Sequence, residues 1–277
     1  MTYDEIRYEV AERVATITLA RPERRNAWTR RMGQEFRTAL TAAAADDGVR
    51  AIVVTGAGND FCVGADLSGD GATFAEQAAA EAAGEVRRPL RAWEIPKPII
   101  GALNGTAAGV GATLPLQWDI RLAGERTRFG FVFVRRGLVP EAASTWILPR
   151  LVGLSRAAEL LLTGRMLAAD EALAWGLVSR VVPDGALLAT AQTMAAEIAA
   201  GTAPFASALT KRLLWRAAGA SDPAAIEELE ARVFAWAKQS AEAREGIRAF
   251  AEKRAPDWPV ASGEDIPDLD AFLREEE

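Results

Sequence analysis

The sequence predicts an α/β fold that hands over to an all-helical C-terminal region, and three observations predict it. From Ile6 to Val182 short β-rich apolar runs alternate with segments of helical period. Two of those runs, Val49 to Thr55 and Ile99 to Leu103, are apolar almost throughout, the pattern of strands covered on both faces. Nothing strand-like follows Gly185. The division expected is a core over residues 1–200 and a helical region with an acidic tail over 201–277.

Taken in order, Ile6 to Val10 and Val14 to Leu19 read as antiparallel strands joined through Ala11-Glu12-Arg13. The loop Arg21-Pro22-Glu23-Arg24-Arg25-Asn26-Ala27 is dense in positive charge and reads either as a solvated loop or as a grip on an anionic ligand. Thr29 then caps a helix whose Met32, Phe36 and Leu40 recur every four residues. After the strand Val49 to Thr55, a glycine-punctuated loop runs from Gly56 to Leu67 and opens toward a helix. In that loop Asp66 is expected to hold amides and Cys62 to pack as a small apolar side chain. Ser68 to Arg91, rich in Gly, Ala, Glu and Arg, is expected to be a mobile lid over the pocket.

The strand Ile99 to Leu103 ends at Asn104-Gly105, and glycines at 105, 109 and 111 precede another helix. Such a loop is either a tight packing turn or a cradle whose free amides hold an anion or a transient oxyanion. A dinucleotide fingerprint does not fit, because a strand and helix already precede the loop and Asp119 is too near to reach a ribose. Ile120 to Ala123 and Arg128 to Val134 read as strands, and Leu138 to Trp146 as a loop entering a helix with Pro140 at its first position. Helices are predicted at Ser155 to Leu162 and Ala168 to Trp175, the second closed by Gly176 before the strand Leu177 to Val182. Further helices span Ala186 to Ala200, Pro204 to Ala217 and Ala224 to Lys253, before a tail ending Glu275-Glu276-Glu277 that is expected to fray.

Composition narrows the chemistry. The chain of 277 residues has no histidine and one cysteine, which removes Ser-His-Asp and Cys-His catalysis, disulfides and the usual zinc sites, so no metal is expected. Carboxylates, lysine, tyrosine and backbone amides remain. A net charge of −6 argues against nucleic acid as a partner. No apolar run of membrane-spanning length and no signal-peptide pattern is present, so a cytoplasmic location away from membranes is expected.

Arg21-Pro22 with Asn26-Ala27, the Ala65-Asp66 loop, Asn104-Gly105 through Trp118-Asp119-Ile120, Leu161-Leu162-Thr163-Gly164 and Ala174-Trp175-Gly176-Leu177-Val178 together resemble the crotonase (enoyl-CoA hydratase/isomerase) superfamily. The likeness covers about Ile6 to Arg254. It implies a crotonase-like spiral of ββα turns, a C-terminal helical trimerisation region, and a homo-trimer or dimer of trimers. It also implies an acyl-CoA substrate, with coenzyme A as part of that substrate and no separate cofactor. In the family two backbone amides hold the thioester oxygen as it becomes an enolate, and they fall here on Ala65 and Val110. The resemblance places Arg24, Asn26, Ala27, Gly64, Asp66, Leu67, Gly109, Phe133, Phe250 and Lys253 around the acyl-CoA, with Lys211 a weaker match.

Two-glutamate hydratases of the family hold a water between carboxylates at positions that here are Thr113 and Phe133. Members that shift the double bond of 3-enoyl-CoA often carry a single acid at the position matching Pro140-Glu141. The resemblance therefore implies a Δ3-Δ2 enoyl-CoA isomerase-like enzyme with Glu141 as the proton carrier. The alternatives are a hydratase working with one acid and a non-catalytic acyl-CoA-binding scaffold. From the residues alone Glu141 also reads as an acid complementing a helix N-terminus.

Overall fold

The computed structural model describes residues 2–68, 91–258 and 266–273. The expected lid from Ser68 to Arg91 and the end of the acidic tail lie almost wholly outside them. Strands β1 (Ile6–Ala11) and β2 (Val14–Leu19) form the predicted hairpin, turned by Glu12 and Arg13 at positive φ. Strands β3 (Ala51–Gly56) and β4 (Ile99–Leu103) follow, then β5 (Thr106–Ala108), β6 (Ile120–Gly124), β7 (Arg128–Gly130), β8 (Met166–Ala168) and β9 (Arg180–Val182). The main sheet runs β1-β2-β3-β4-β6-β9, parallel throughout except for the first pair, and β5-β7-β8 form a second sheet.

The apolar run at β3 has the cause its composition suggests: both faces of the main sheet are covered. Ile52 and Val54 join one buried cluster with Met32, Phe36 and Leu40 of α1 (Arg30–Ala45), while Ala51 and Val53 join a second. In the second cluster α6 (Leu187–Gly201) lays Ala191, Ala195 and Ala199, one small residue per turn, against β3 and β4. Thr29 caps α1 as expected, its hydroxyl oxygen accepting from the Met32 amide at 2.9 Å.

The other helices are α2 (Val110–Thr113), α3 (Ser144–Val152), α4 (Leu154–Thr163), α5 (Ala169–Ala174), α7 (Pro204–Gly219), α8 (Pro223–Ala237) and α9 (Ala241–Glu252). Three expectations are corrected. The strand expected over Arg128 to Val134 stops at Gly130, and Val132–Arg136 turns into a 3-10 helix that ends at left-handed Gly137. The helix expected from Pro140 begins only at Ser144, because Ala142 and Ala143 sit at φ 56° and 58° and keep the chain out of the right-handed well. The single helix expected over Ala224 to Lys253 is two, since Ser240 caps a new start at Ala241 and accepts from the Ala243 amide at 3.0 Å.

The C-terminal helices have their own apolar cluster of Leu209, Leu229, Val233 and Leu269. They are tied to the sheet by Lys211, whose ammonium is 2.7 Å from the Asp119 carboxylate and donates to the Lys97 carbonyl at 2.9 Å. No helix among the described residues is long and apolar enough to cross a membrane.

Candidate active site

The two glycine loops identified in the sequence are zipped to one another. Cys62 bridges Ala107 in parallel register: its amide donates to Thr106 at 3.0 Å and its carbonyl accepts from Ala108 at 2.9 Å. The glycine loop after β4 is thus interrupted by β5 rather than running free to the helix. Bare backbone is required at the crossing. A Cβ on Gly111 would lie 2.2 Å from the Cys62 carbonyl oxygen, and one on Gly105, at φ 55°, would lie 1.7 Å from that of Asn59.

A Cβ on Gly109 would stand 3.3 Å from the Gly64 Cα, so the residues immediately before Ala65 and Val110 are in contact. Trp28 holds the Ala65 strand through its amide, 2.8 Å from the Gly64 carbonyl, and its carbonyl, 2.9 Å from the Asp66 amide. That pattern leaves the Ala65 N–H outside the bridge. Val110 is the first residue of α2, where an amide has no intrahelical acceptor. Among the described residues neither amide donates to a backbone carbonyl. The positive φ falls on Gly109, at 55°, so the valine side chain at 110 is carried at helical dihedrals without strain.

Charge around the loop is spoken for. Arg21 pairs with Asp66 at 3.0 Å and with Glu5 at 3.3 Å, and Arg25 pairs with Asp60 at 2.8 Å. Asp66 binds the Ser68 hydroxyl and amide, which with Arg21 hold its carboxyl at about 2. Asp60 is likewise held at about 2, first by Arg25 and then by Thr106. Arg24, its side chain about half exposed, lies 3.8 Å from Asp66, and Arg25 is also exposed beside its Asp60 partner, whereas Arg21 is largely buried. Asn26 is fully buried and spends its side chain on the Arg21 amide and the Ala57 and Asp60 carbonyls. The Ala27 carbonyl accepts from Arg21. Burial pushes the Cys62 thiol up to about 12, which leaves it an inert packing group.

Glu141 sits on the exposed turn before α3, but its carboxylate is directed inward and accepts from the hydroxyl of Thr113, a residue with no exposure at all. Burial raises its pKa above the usual carboxylate range, and the Thr113 hydroxyl pulls it part of the way back. Because α3 starts at Ser144, Glu141 is not in a first helical turn, and dipole complementation does not account for it. Thr113 is one turn beyond Val110 on α2, about 5 Å along the axis, so the carboxylate and one candidate oxyanion amide are mounted on the same turn.

Of the other predicted residues, Leu67 is 44% exposed beside Asp66, and Phe133 is half-buried in the 3-10 segment preceding Glu141. Phe250 is 87% exposed on α9 and Lys253 caps that helix in left-handed conformation. Lys211 is consumed by Asp119 inside the protomer. Sequence reasoning did not anticipate the contacts that Thr113 and Gln117 make around Glu141. The buried Gln117 side chain donates to the Ala142 carbonyl at 3.1 Å and accepts from the Ala92 amide at 3.3 Å, fixing the left-handed turn behind Glu141. The readable signal was their spacing: two polar residues four apart in the otherwise apolar Val110-Gly-Ala-Thr-Leu-Pro-Leu-Gln117.

Residues 9–260 match the family model described as enoyl-CoA hydratase/isomerase. The chain is 41% identical over 258 residues to a protein of Rhodobacter capsulatus named probable enoyl-CoA hydratase, covering 92% of this chain and 98% of that one. It is 38% identical over 255 residues to the 1,2-epoxyphenylacetyl-CoA isomerase of Escherichia coli, covering 90% and 96%. Among solved structures, an enoyl-CoA hydratase from Bacillus anthracis superposes with a TM-score of 0.86 at 32% identity, over 93% of this chain and 100% of the other.

Proposed function

From the premise that this chain belongs to the enoyl-CoA hydratase/isomerase family and is an acyl-CoA-processing enzyme, we propose that it shifts the double bond of a 3-enoyl-CoA to the 2-position through a thioester enolate. The observation that carries this reading is the Glu141 carboxylate, turned inward onto the helical turn that begins at Val110 and raised in pKa by burial. The Ala65 and Val110 amides receive the thioester oxygen. Glu141 takes a proton from C2, the electron pair of that C–H bond moves onto the oxygen, and the dienolate is held by the two N–H groups. Return of the same proton to C4 places the double bond between C2 and C3. One carboxylate suffices because a single group both removes and returns the proton. Each amide of such a pair is worth typically about 2.7–4 kcal/mol of transition-state stabilisation.

Water addition by the two-carboxylate route has no support from Thr113 and Phe133, whose side chains carry no carboxylate. Arg24 and the backbone from Gly64 to Leu67 are proposed to border the CoA moiety. Phe250 and Lys253, exposed on α9, suit contribution from a neighbouring subunit.

The test is Glu141→Gln. It is isosteric and leaves both amides in place, so CoA-thioester affinity should be nearly unchanged, while turnover of a 3-enoyl-CoA and exchange of the C2 proton into deuterated solvent fall about 10²–10⁴-fold. Wild-type exchange in this variant would remove Glu141 as the base and put the binding-scaffold reading first.

A further inference from the structure

The Thr113 hydroxyl has one hydrogen and two acceptors in reach: the Glu141 carboxylate oxygen and, at 3.3 Å, the Gly109 carbonyl. That carbonyl belongs to the peptide whose N–H is the Val110 amide. It already accepts from the Ala112 and Thr113 amides at 2.9 and 3.0 Å. We propose that Thr113 is a positioning residue that couples the base to the oxyanion hole, its hydroxyl moving from Glu141 toward the Gly109 carbonyl as Glu141 takes up the substrate proton.

The argument needs no extra proton transfer. While Glu141 is ionised its oxygen is the stronger acceptor, and the short contact holds the hydroxyl there, fixing the carboxylate and leaving its second oxygen for C2. Once that second oxygen carries the proton, the oxygen facing Thr113 becomes a neutral carbonyl and loses much of its pull. The hydroxyl then turns to Gly109. A third donor on the Gly109 oxygen polarises the Gly109–Val110 peptide and makes its N–H a better donor, by the cooperativity of chained hydrogen bonds. Strengthening thus arrives when the enolate exists. Burial and the Thr113 hydroxyl are the two influences that shift Glu141, and no charged side chain among the described residues contributes.

This inference rests on Glu141 being the base, and the experiment separates the two. The pH dependence of C2-proton exchange and of kcat and KM is measured for the wild type, Thr113→Val, Thr113→Ala, Thr113→Ser and Glu141→Gln. Removing the donor should move the acid limb to higher pH in both Val and Ala variants, because the influence that lowers the Glu141 pKa is gone. It should also cost about tenfold in kcat with KM little changed. Serine should restore both. An acid limb in Thr113→Val and Thr113→Ala coincident with the wild type, while Glu141→Gln has lost exchange, overturns the coupling alone. Exchange persisting in Glu141→Gln overturns the base assignment and the coupling with it.

Discussion

Ala142 and Ala143 hold left-handed dihedrals that cost an L-residue about 1–2 kcal/mol each, and Gln117 grips the Ala142 carbonyl from below. The strain delays α3 and aims Glu141 at Thr113. Glycine tolerates this conformation, so Ala142→Gly or Ala143→Gly is expected to be neutral or stabilising by about 0.5–1 kcal/mol, and Ala143→Val destabilising, by thermal unfolding. Glu141 itself makes a stability prediction. Its folded pKa lies above the unfolded value, so the folded state binds the proton more tightly and ionisation penalises folding. The penalty is absent below the unfolded pKa and fully present above the folded one. Glu141→Gln should therefore match the wild type in stability at acid pH and exceed it at neutral pH; the opposite order in denaturant titrations would mean the carboxylate is not desolvated.

The joint between the two loops is built from elements that meet through backbone alone. Gly105 combines φ 55° with a Cβ position 1.7 Å from the Asn59 carbonyl oxygen, and neither the strain nor the clash is relieved by moving a side chain. Gly105→Ala is expected to cost more than about 3 kcal/mol or to prevent folding, as read by urea unfolding and soluble yield. The same joint carries a pH dependence. Asp60 and Asp66 are both depressed to about 2 from 3.8, so the stability they contribute is fully present above about 4 and is lost as pH falls toward 2. Asp60→Asn, which loses the charge facing Arg25, should flatten that part of the acid-unfolding curve.

For the whole molecule, α7 is anchored to the sheet by a buried charge. Lys211 is 5% exposed, and burial lowers its pKa against the attraction of Asp119. Removing one partner leaves the other charge uncompensated, so Lys211→Ala should destabilise by about 3–5 kcal/mol, whereas Lys211→Met, which keeps the packing, should cost less. Assembly is expected through the same region. Leu229 and Val233 are spent inside the protomer, but Phe234, Ile247 and Phe250 remain 70%, 71% and 87% exposed on α8 and α9. Sedimentation should find a trimer or hexamer, and Ile247→Glu with Phe250→Glu should shift it toward monomer; a wild-type monomer at micromolar concentration would rule the assembly out.

The sequence by itself determined the opening hairpin, the double burial of β3 and β4, the Thr29 cap, the two glycine loops and the helical C-terminal region, but not the short strands β5 and β8. Those features follow from residue period, capping chemistry and the absence of a Cβ, all of which act locally. The resemblance also assigns Ala65, Val110 and Glu141 to family positions and puts Thr113 and Phe133 where two-glutamate hydratases carry carboxylates. Other features were settled only in three dimensions. Two alanines in a left-handed turn have no sequence signature, because Ala ordinarily favours the helix that Pro140 was expected to start. The break at Ser240 was hidden by helix formers on both sides. Asn26 and Lys211 look like ligand contacts in one dimension and are consumed by partners 31 and 92 positions away, at Ala57 and Asp119.

 The pairing of Thr113 with Glu141, 28 positions apart, belongs to the same class. Its geometry depends on where the β6–β7 region returns the chain against α2. Long-range contacts of that kind are fixed by the packing of the whole sheet, and no local propensity encodes them.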